Sequence, residues 1–500
     1  MSPLGVLISL LAVWLPPGVA PVAATDLDGA AVCARARATV AGSEAGRGEN
    51  FEYRVGDRTL PVRVRSTGAD VRASVSLDSV RTYDAGRTNG REWRADANGI
   101  AHFTRSDAQA DAVDRLPWSR FAFELADCSL VGQANIPAAT WVLADRTPTN
   151  YTHYFFIEKD RGRIVREETR EGQRVDQLDF DDFANEGGIE RARAWRVRGA
   201  RASDDIDVRV ASSRSETVAE SDVQPSAFSG IVDFAGERVA LPAHFRGREI
   251  VIDAVTDGHA GNYVLDTGTA SITIDNSRAR GWGRPVLLEH ARVATIALGE
   301  VTLHDVSTLA IPFGFAGNGT LGILGYDFFF GSVVHIDYAR ERVELLRGAL
   351  ARRPFEDATH TIVPIDVDEG LPLAPVRIGA LTSNRFALDT GSPRLFVLQP
   401  FSRVHQAEIA RLWTPSSTRS FVENYLEGSI ELQNTEVAGF DFGGVRFTHQ
   451  TLGVAIPSAA PNALEPNFDG IVGTDELAQF ELWFDYDRGQ LALARAGSSR

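Results

Sequence analysis

Polar and apolar residues alternate through much of the first 215 positions, as in Thr59-Leu60-Pro61-Val62-Arg63-Val64-Arg65 and Tyr154-Phe155-Phe156-Ile157-Glu158. Asn89-Gly90, Asn98-Gly99 and Gly187-Gly188 punctuate these runs. A period of two with glycine-bearing turns predicts antiparallel strands joined by hairpins. Residues 25–211 are expected to form a separate antiparallel β domain with one or two helices. The polar stretch 212–229, with Pro225 near its end, reads as a linker.

Beyond residue 230 the pattern duplicates. Strand-like runs at Arg238-Val239-Ala240-Leu241-Pro242 and Glu249-Ile250-Val251-Ile252 lead to Tyr263-Val264-Leu265, which ends on Asp266-Thr267-Gly268-Thr269. After Thr361-Ile362-Val363-Pro364 comes Phe386-Ala387-Leu388, ending on Asp389-Thr390-Gly391-Ser392. Each half continues through Ala-Ile-Pro (310–312 and 455–457) into an apolar pair closed by glycine, Gly322-Ile323-Leu324-Gly325 and Gly470-Ile471-Val472-Gly473. From Gly325 to Asp337 and from Gly473 to Asp485 the step is the same, twelve residues. A shared order and a shared spacing mark an internal repeat. It predicts one lobe over 230–348, a connector over 349–360 and a second lobe over 361–496.

The repeat delivers two matched carboxylates. An aspartate at the end of an apolar strand, where the chain turns on a glycine, is costly alone and useful as one of a pair. Two carboxylates within hydrogen-bond reach share one proton; the charged one takes a proton from water while the protonated one donates to a carbonyl. That chemistry needs no cofactor and no metal.

Asp-Thr-Gly followed by apolar-apolar-Gly in both halves resembles the aspartic proteases. With 123 residues between the aspartates, the likeness is to bacterial retropepsin-like proteases with two fused lobes. The resemblance covers roughly 230–496 and implies a mainly β chain, a two-lobed retropepsin-like acid protease fold preceded by the N-terminal β domain. It implies Asp266 and Asp389 as the catalytic dyad acting on a polypeptide substrate. Thr267 and Thr390 would cross-link the two loops, Gly268 and Gly391 would bring backbone N–H groups close, and Thr269 and Ser392 would bond the outer carboxylate oxygens. Ile323-Leu324 and Ile471-Val472 would pack beneath. For a substrate-covering hairpin, lobe 1 offers only the short stretch 277–292, whereas lobe 2 offers 402–437 with Tyr425-Leu426-Glu427-Gly428-Ser429 as a tip. The alternative is a catalytically silent envelope protein that uses the same fold to bind peptide or lipid.

Around Trp93-Arg94-Ala95-Asp96-Ala97-Asn98-Gly99 and over 154–199, including Leu178-Asp179-Phe180-Asp181-Asp182-Phe183, the N-terminal region resembles the half-barrel of LolA-like periplasmic lipoprotein carriers. This implies a curved sheet and an envelope lipid or protein contact. The acidic run 179–182 reads as a solvated hairpin.

Composition narrows the partners. The net charge is −16, and Lys159 is the single lysine among 51 basic residues. Such a surface repels phosphate, which excludes a nucleic-acid partner. Gly317-Asn318-Gly319-Thr320-Leu321-Gly322 matches a dinucleotide fingerprint in letters but lies inside the duplicated glycine element rather than a βαβ unit. The apolar run 4–15, followed by Pro16-Pro17 and Val22-Ala23-Ala24, reads as a signal peptide over 1–24, although no basic residue precedes it. Export to the periplasm or beyond suits the two cysteines, Cys33 and Cys128, as one disulfide. The chain is expected to act as a monomer.

Overall fold

The computed structural model describes residues 19–21, 29–40, 46–55, 58–67, 70–77, 80–89, 91–96, 98–103, 128–136, 138–145, 152–171, 174–186, 189–198, 205–226, 230–284, 286, 290–312, 319–368, 370–424, 428–456 and 468–496. The signal peptide's apolar run, Gly317-Asn318 and the tip residues Tyr425-Leu426-Glu427 lie outside them. The protein is mainly β, and two compact units divide it: residues 1–73, 87–90 and 106–224 form one, and residues 74–86, 91–105 and 225–500 the other.

In the first unit, strands Cys128–Asn135, Ala139–Asp145, Thr152–Glu158, Ile164–Glu171, Arg174–Glu186, Ile189–Arg198, Ile206–Ser215, Arg47–Val55 and Arg58–Thr67 neighbour one another in that order, all antiparallel. Val62 and Val64 are buried while Pro61 and Arg63 between and beside them are exposed, as alternation requires. Tyr154, Phe155, Phe156 and Ile157 depart from this, because all four are buried. That strand is covered on both faces, so neither face keeps a polar set. The helix Gly29–Val40 packs on strands Cys128–Asn135 and Ile189–Arg198, and the Cys33–Cys128 disulfide ties it to the sheet with Cα atoms 6.1 Å apart. Asp179 sits between Arg166 and Arg198 as an ion-paired surface residue, and Asp181 and Asp182 are exposed. The stretch 212–229 begins inside strand Ile206–Ser215 and holds the one-turn helix Glu220–Val223.

Over residues 230–496 the described strands form three sheets, of which the two lobe sheets share one plan. In lobe 1, His259–Leu265 pairs in parallel with Thr320–Leu324, with Leu265 opposite Leu324. In lobe 2, Leu381–Leu388 pairs in parallel with Gly470–Val472, with Leu388 opposite Val472. Between the lobes, six strands follow the order Arg238–Ala240, Arg342–Leu346, Val333–Asp337, Phe480–Asp485, Gln490–Arg495, Thr361–Pro364, three from each repeat. The central pair is antiparallel, Val334 opposite Phe484 and Asp337 opposite Glu481, which is the pairing a two-fold relation between repeats demands.

The twelve-residue step ends on a turn made twice. Asp337 accepts from Arg340 N (3.0 Å) and the Arg340 guanidinium (2.6 Å), and Asp485 accepts from Arg488 N (3.1 Å) and the Arg488 guanidinium (2.6 Å). One apolar core runs through both lobes and includes Leu265, Leu324, Ile336, Leu388, Val472 and Phe484. The hairpin Arg91–Ala95 with Ala101–Phe103, from the region 25–211, contributes Ile100 to this core.

Candidate active site

Each Asp-Thr-Gly sits where a strand runs out of partners. The Asp266 N–H reaches Leu324 O and the Asp389 N–H reaches Val472 O, both at 3.0 Å, so the parallel neighbour holds each loop at its root. Leu324 and Val472 are fully buried beneath the loops.

The threonines lock the loops to each other. Thr267 Oγ1 donates to Leu388 O (2.7 Å) and accepts from Thr390 N (3.0 Å), while Thr390 Oγ1 donates to Leu265 O (3.1 Å) and accepts from Thr267 N (3.0 Å). Both threonines are buried, so these bonds compete with no water.

On that platform the carboxylates meet. The Gly391 N–H donates to Asp389 Oδ1 at 2.7 Å and approaches Asp266 Oδ1 at 3.2 Å; the sum of those lengths, 5.9 Å, is the most that can separate the two oxygens. Gly268 N donates to Asp266 Oδ1 at 2.7 Å. The glycines are required by this approach: a Cβ on Gly268 would lie 2.4 Å from Asp389 Cγ, and one on Gly391 would lie 2.6 Å from Asp266 Oδ2. Burial, then the charge of Asp266 and the hydrogen bond between the two side chains, push the Asp389 carboxyl well above its ordinary range, against the N–H groups of Gly391 and Ser392.

The outer positions are not equivalent. Thr269 Oγ1 donates to Asp266 Oδ2 at 2.9 Å. Ser392 reaches Asp389 Oδ1 through its backbone N–H at 2.9 Å, and its hydroxyl has no hydrogen-bond partner among the described residues. At Ser392 the contact to the dyad is therefore a main-chain one, in place of the hydroxyl role that the resemblance lends it.

Two tyrosines escape a reading based on Asp-Thr-Gly alone. Tyr338 and Tyr486 follow the repeated Asp337 and Asp485; burial and the charges of Asp266 and Asp389 raise both phenols, and neither hydroxyl has a partner among the described residues. The signal was in the repeat, since both halves read Asp-Tyr at the end of the twelve-residue step.

The hairpin material is unequal. In lobe 1 the helix Asn276–Gly281 follows the loop, whereas lobe 2 raises the long antiparallel pair Thr414–Asn424 and Gly428–Phe442. No group of three or more His, Cys, Asp or Glu stands together as a metal site among the described residues.

No protein-family model matches the sequence, and no curated protein matches it. Solved structures do. A LolA superfamily protein from Nitrosomonas europaea is 13% identical with a TM-score of 0.33, the match covering 40% of this chain and 98% of that one. A DUF1329 family protein from Desulfovibrio piger is 15% identical with a TM-score of 0.32, covering 40% and 99%. An aspartic proteinase from Irpex lacteus is 15% identical with a TM-score of 0.30, covering 52% and 98%.

Proposed function

We propose that residues 230–496 are an aspartic endopeptidase whose dyad is Asp266 and Asp389. The observation that carries this reading is the pair of carboxylates converging on the Gly391 N–H, with Asp389 favouring its protonated form. One shared proton makes the pair acid and base at once: the ionised member takes a proton from water, and the protonated member donates to the scissile carbonyl. The Thr267–Thr390 bonds fix the separation on which this exchange depends. The long hairpin of lobe 2 supplies the cover over a bound peptide, unaided by an equal from lobe 1. The N-terminal leader and the Cys33–Cys128 bond support export to an oxidising compartment.

The test is cleavage of a peptide library between pH 3 and 8 by the full chain and by Asp266→Asn. Hydrolysis lost in the variant supports the reading. Peptide binding without cleavage by the wild type at every pH would replace it with a binding function.

A further inference from the structure

The repeat places a polypeptide turn in one lobe and a pocket in the other. In lobe 1 the guest is Asn98. Its Oδ1 accepts from Ser307 N (2.8 Å), and its Nδ2 donates to Ser307 O (2.9 Å) and Asp327 Oδ2 (2.7 Å). Asp327 Oδ2 also accepts from Ile272 N at 3.1 Å. The turn is held in shape by Asp96 Oδ1, which accepts from Asn98 N (2.8 Å) and Ile100 N (2.9 Å), and by Gly99 at φ 91°. A carboxamide is thus recognised by one strand residue's N–H and C=O together with one buried carboxyl.

The same positions in lobe 2 follow from the repeat. Asp266 corresponds to Asp389, which carries Ile272 to Leu395. Thr273 lies opposite Leu309 and its counterpart Phe396 opposite Gly453, which carries Ser307 to Thr451; the left-handed residues Asp305 and His449 match in the same register. Gly325-Tyr326-Asp327-Phe328 corresponds to Gly473-Thr474-Asp475-Glu476. Leu395, Thr451, Asp475 and Glu476 all line a pocket of about 370 Å³, within the size range of small-ligand sites. Glu476 takes over the part of Asp327, since the Leu395 N–H bonds its carboxyl as the Ile272 N–H bonds that of Asp327. The side chain is 6% exposed and its Oε2 has no hydrogen-bond partner among the described residues. A buried acceptor left in that state is costly unless something donates to it. Arg248 and Asp475, ion-paired with each other, are also part of the lining.

We propose that this pocket in lobe 2 is a docking site for a turn of a partner polypeptide that presents a carboxamide side chain, with Glu476 accepting from the amide nitrogen and Thr451 offering its main chain. Among the described residues, the turn bearing Asn98 is engaged in lobe 1, and the occupant assigned to lobe 2 is a separate molecule. This site does not depend on turnover at the dyad.

The probe is a disulfide-cyclised peptide of residues 91–103, titrated by fluorescence anisotropy into the full chain carrying Asp266→Asn, so that cleavage does not interfere. Saturable 1:1 binding is expected, weakened at least tenfold by Asn98→Ala in the peptide and by Glu476→Leu in the protein. Because Glu476→Leu touches a buried site, Gln479→Trp, which fills the pocket from an exposed position, provides a second variant and should block binding with an unchanged melting temperature. No saturable binding at millimolar peptide overturns the proposal. Binding that survives both pocket variants, or that is lost only when Asp327 is replaced, places the peptide in lobe 1 and overturns it equally.

Discussion

Thr267 and Thr390 exchange bonds: each hydroxyl accepts the other's backbone N–H at 3.0 Å and donates to the carbonyl that precedes the other's aspartate. Replacing Thr267 with valine keeps the shape and strips both bonds, leaving Leu388 O and Thr390 N buried without partners. The expected cost is roughly 2–4 kcal/mol from two unsatisfied groups. Denaturant unfolding of Thr267→Val, Thr390→Val and the double variant checks it. Because the two residues share one network, the double variant should lose less than the sum of the singles, and strict additivity would contradict the arrangement.

The close approach at the glycines predicts an activity defect separable from stability. Gly268→Ala drives a methyl into the Asp389 carboxyl, so hydrolysis should fall at least 100-fold while the chain still folds. An alanine variant with near-normal kcat would show that the carboxylates are farther apart than described.

Thr269 and Ser392 occupy matching positions but only one uses its hydroxyl on the dyad. Thr269→Ala should lower kcat roughly tenfold, the scale of one lost hydrogen bond to a charged group. Ser392→Ala should stay within about twofold, since its main-chain donor remains. Equal effects in a steady-state assay would overturn this asymmetry.

Acid pH should favour both activity and stability. Burial raises Asp389, Asp327 and Asp96, and raises Glu476 to about 7. A carboxyl raised in the folded state gives stability that is complete below its unfolded value near 4 and is lost as pH rises through the folded value. For Glu476 the loss runs from about pH 4.5 to 7 and is on the order of 3 kcal/mol. Glu344 acts in the opposite sense. Burial would raise it, yet hydrogen bonds from His335 and Arg342 hold it at about 2, so its contribution is present above about 4.5 and lost as pH falls towards 2. Melting temperature should therefore peak on the acid side and decline towards neutrality, and Glu476→Gln should flatten that decline. Hydrolysis should fade as pH rises through the raised Asp389 value, where the shared proton leaves. A melting temperature that climbs from pH 5 to 7 would contradict these assignments.

The Cys33–Cys128 bond closes a 95-residue separation within the N-terminal unit. Its reduction should cost that unit about 4 kcal/mol in the chain-entropy picture. Unfolding followed with and without reductant tests this, and an unchanged midpoint would count against a stabilising role.

The sequence alone determined the frame of the candidate site. An apolar run closed by Asp-Thr-Gly is a local statement about a strand and its turn, and its recurrence with the same downstream spacing is enough to pair Asp266 with Asp389 and Thr267 with Thr390. The six-stranded sheet between the lobes is not dictated by the repeat, because it joins strands such as Val333–Asp337 and Phe480–Asp485 that are far apart in sequence. What only the tertiary structure decided are facts about packing between distant positions. Tyr154–Ile157 looks like an alternating strand until it is buried on both faces. Asn98 reads as an ordinary turn residue, and its bond to Asp327 joins positions 229 apart, a pairing that no local propensity encodes. That Ser392 meets the dyad with its N–H and not its hydroxyl is a matter of three-dimensional placement that the letters Asp-Thr-Gly-Ser do not carry. Period and turn chemistry reside in a few consecutive residues, whereas burial, rotamer and docking are settled by the sum of contacts that folding assembles.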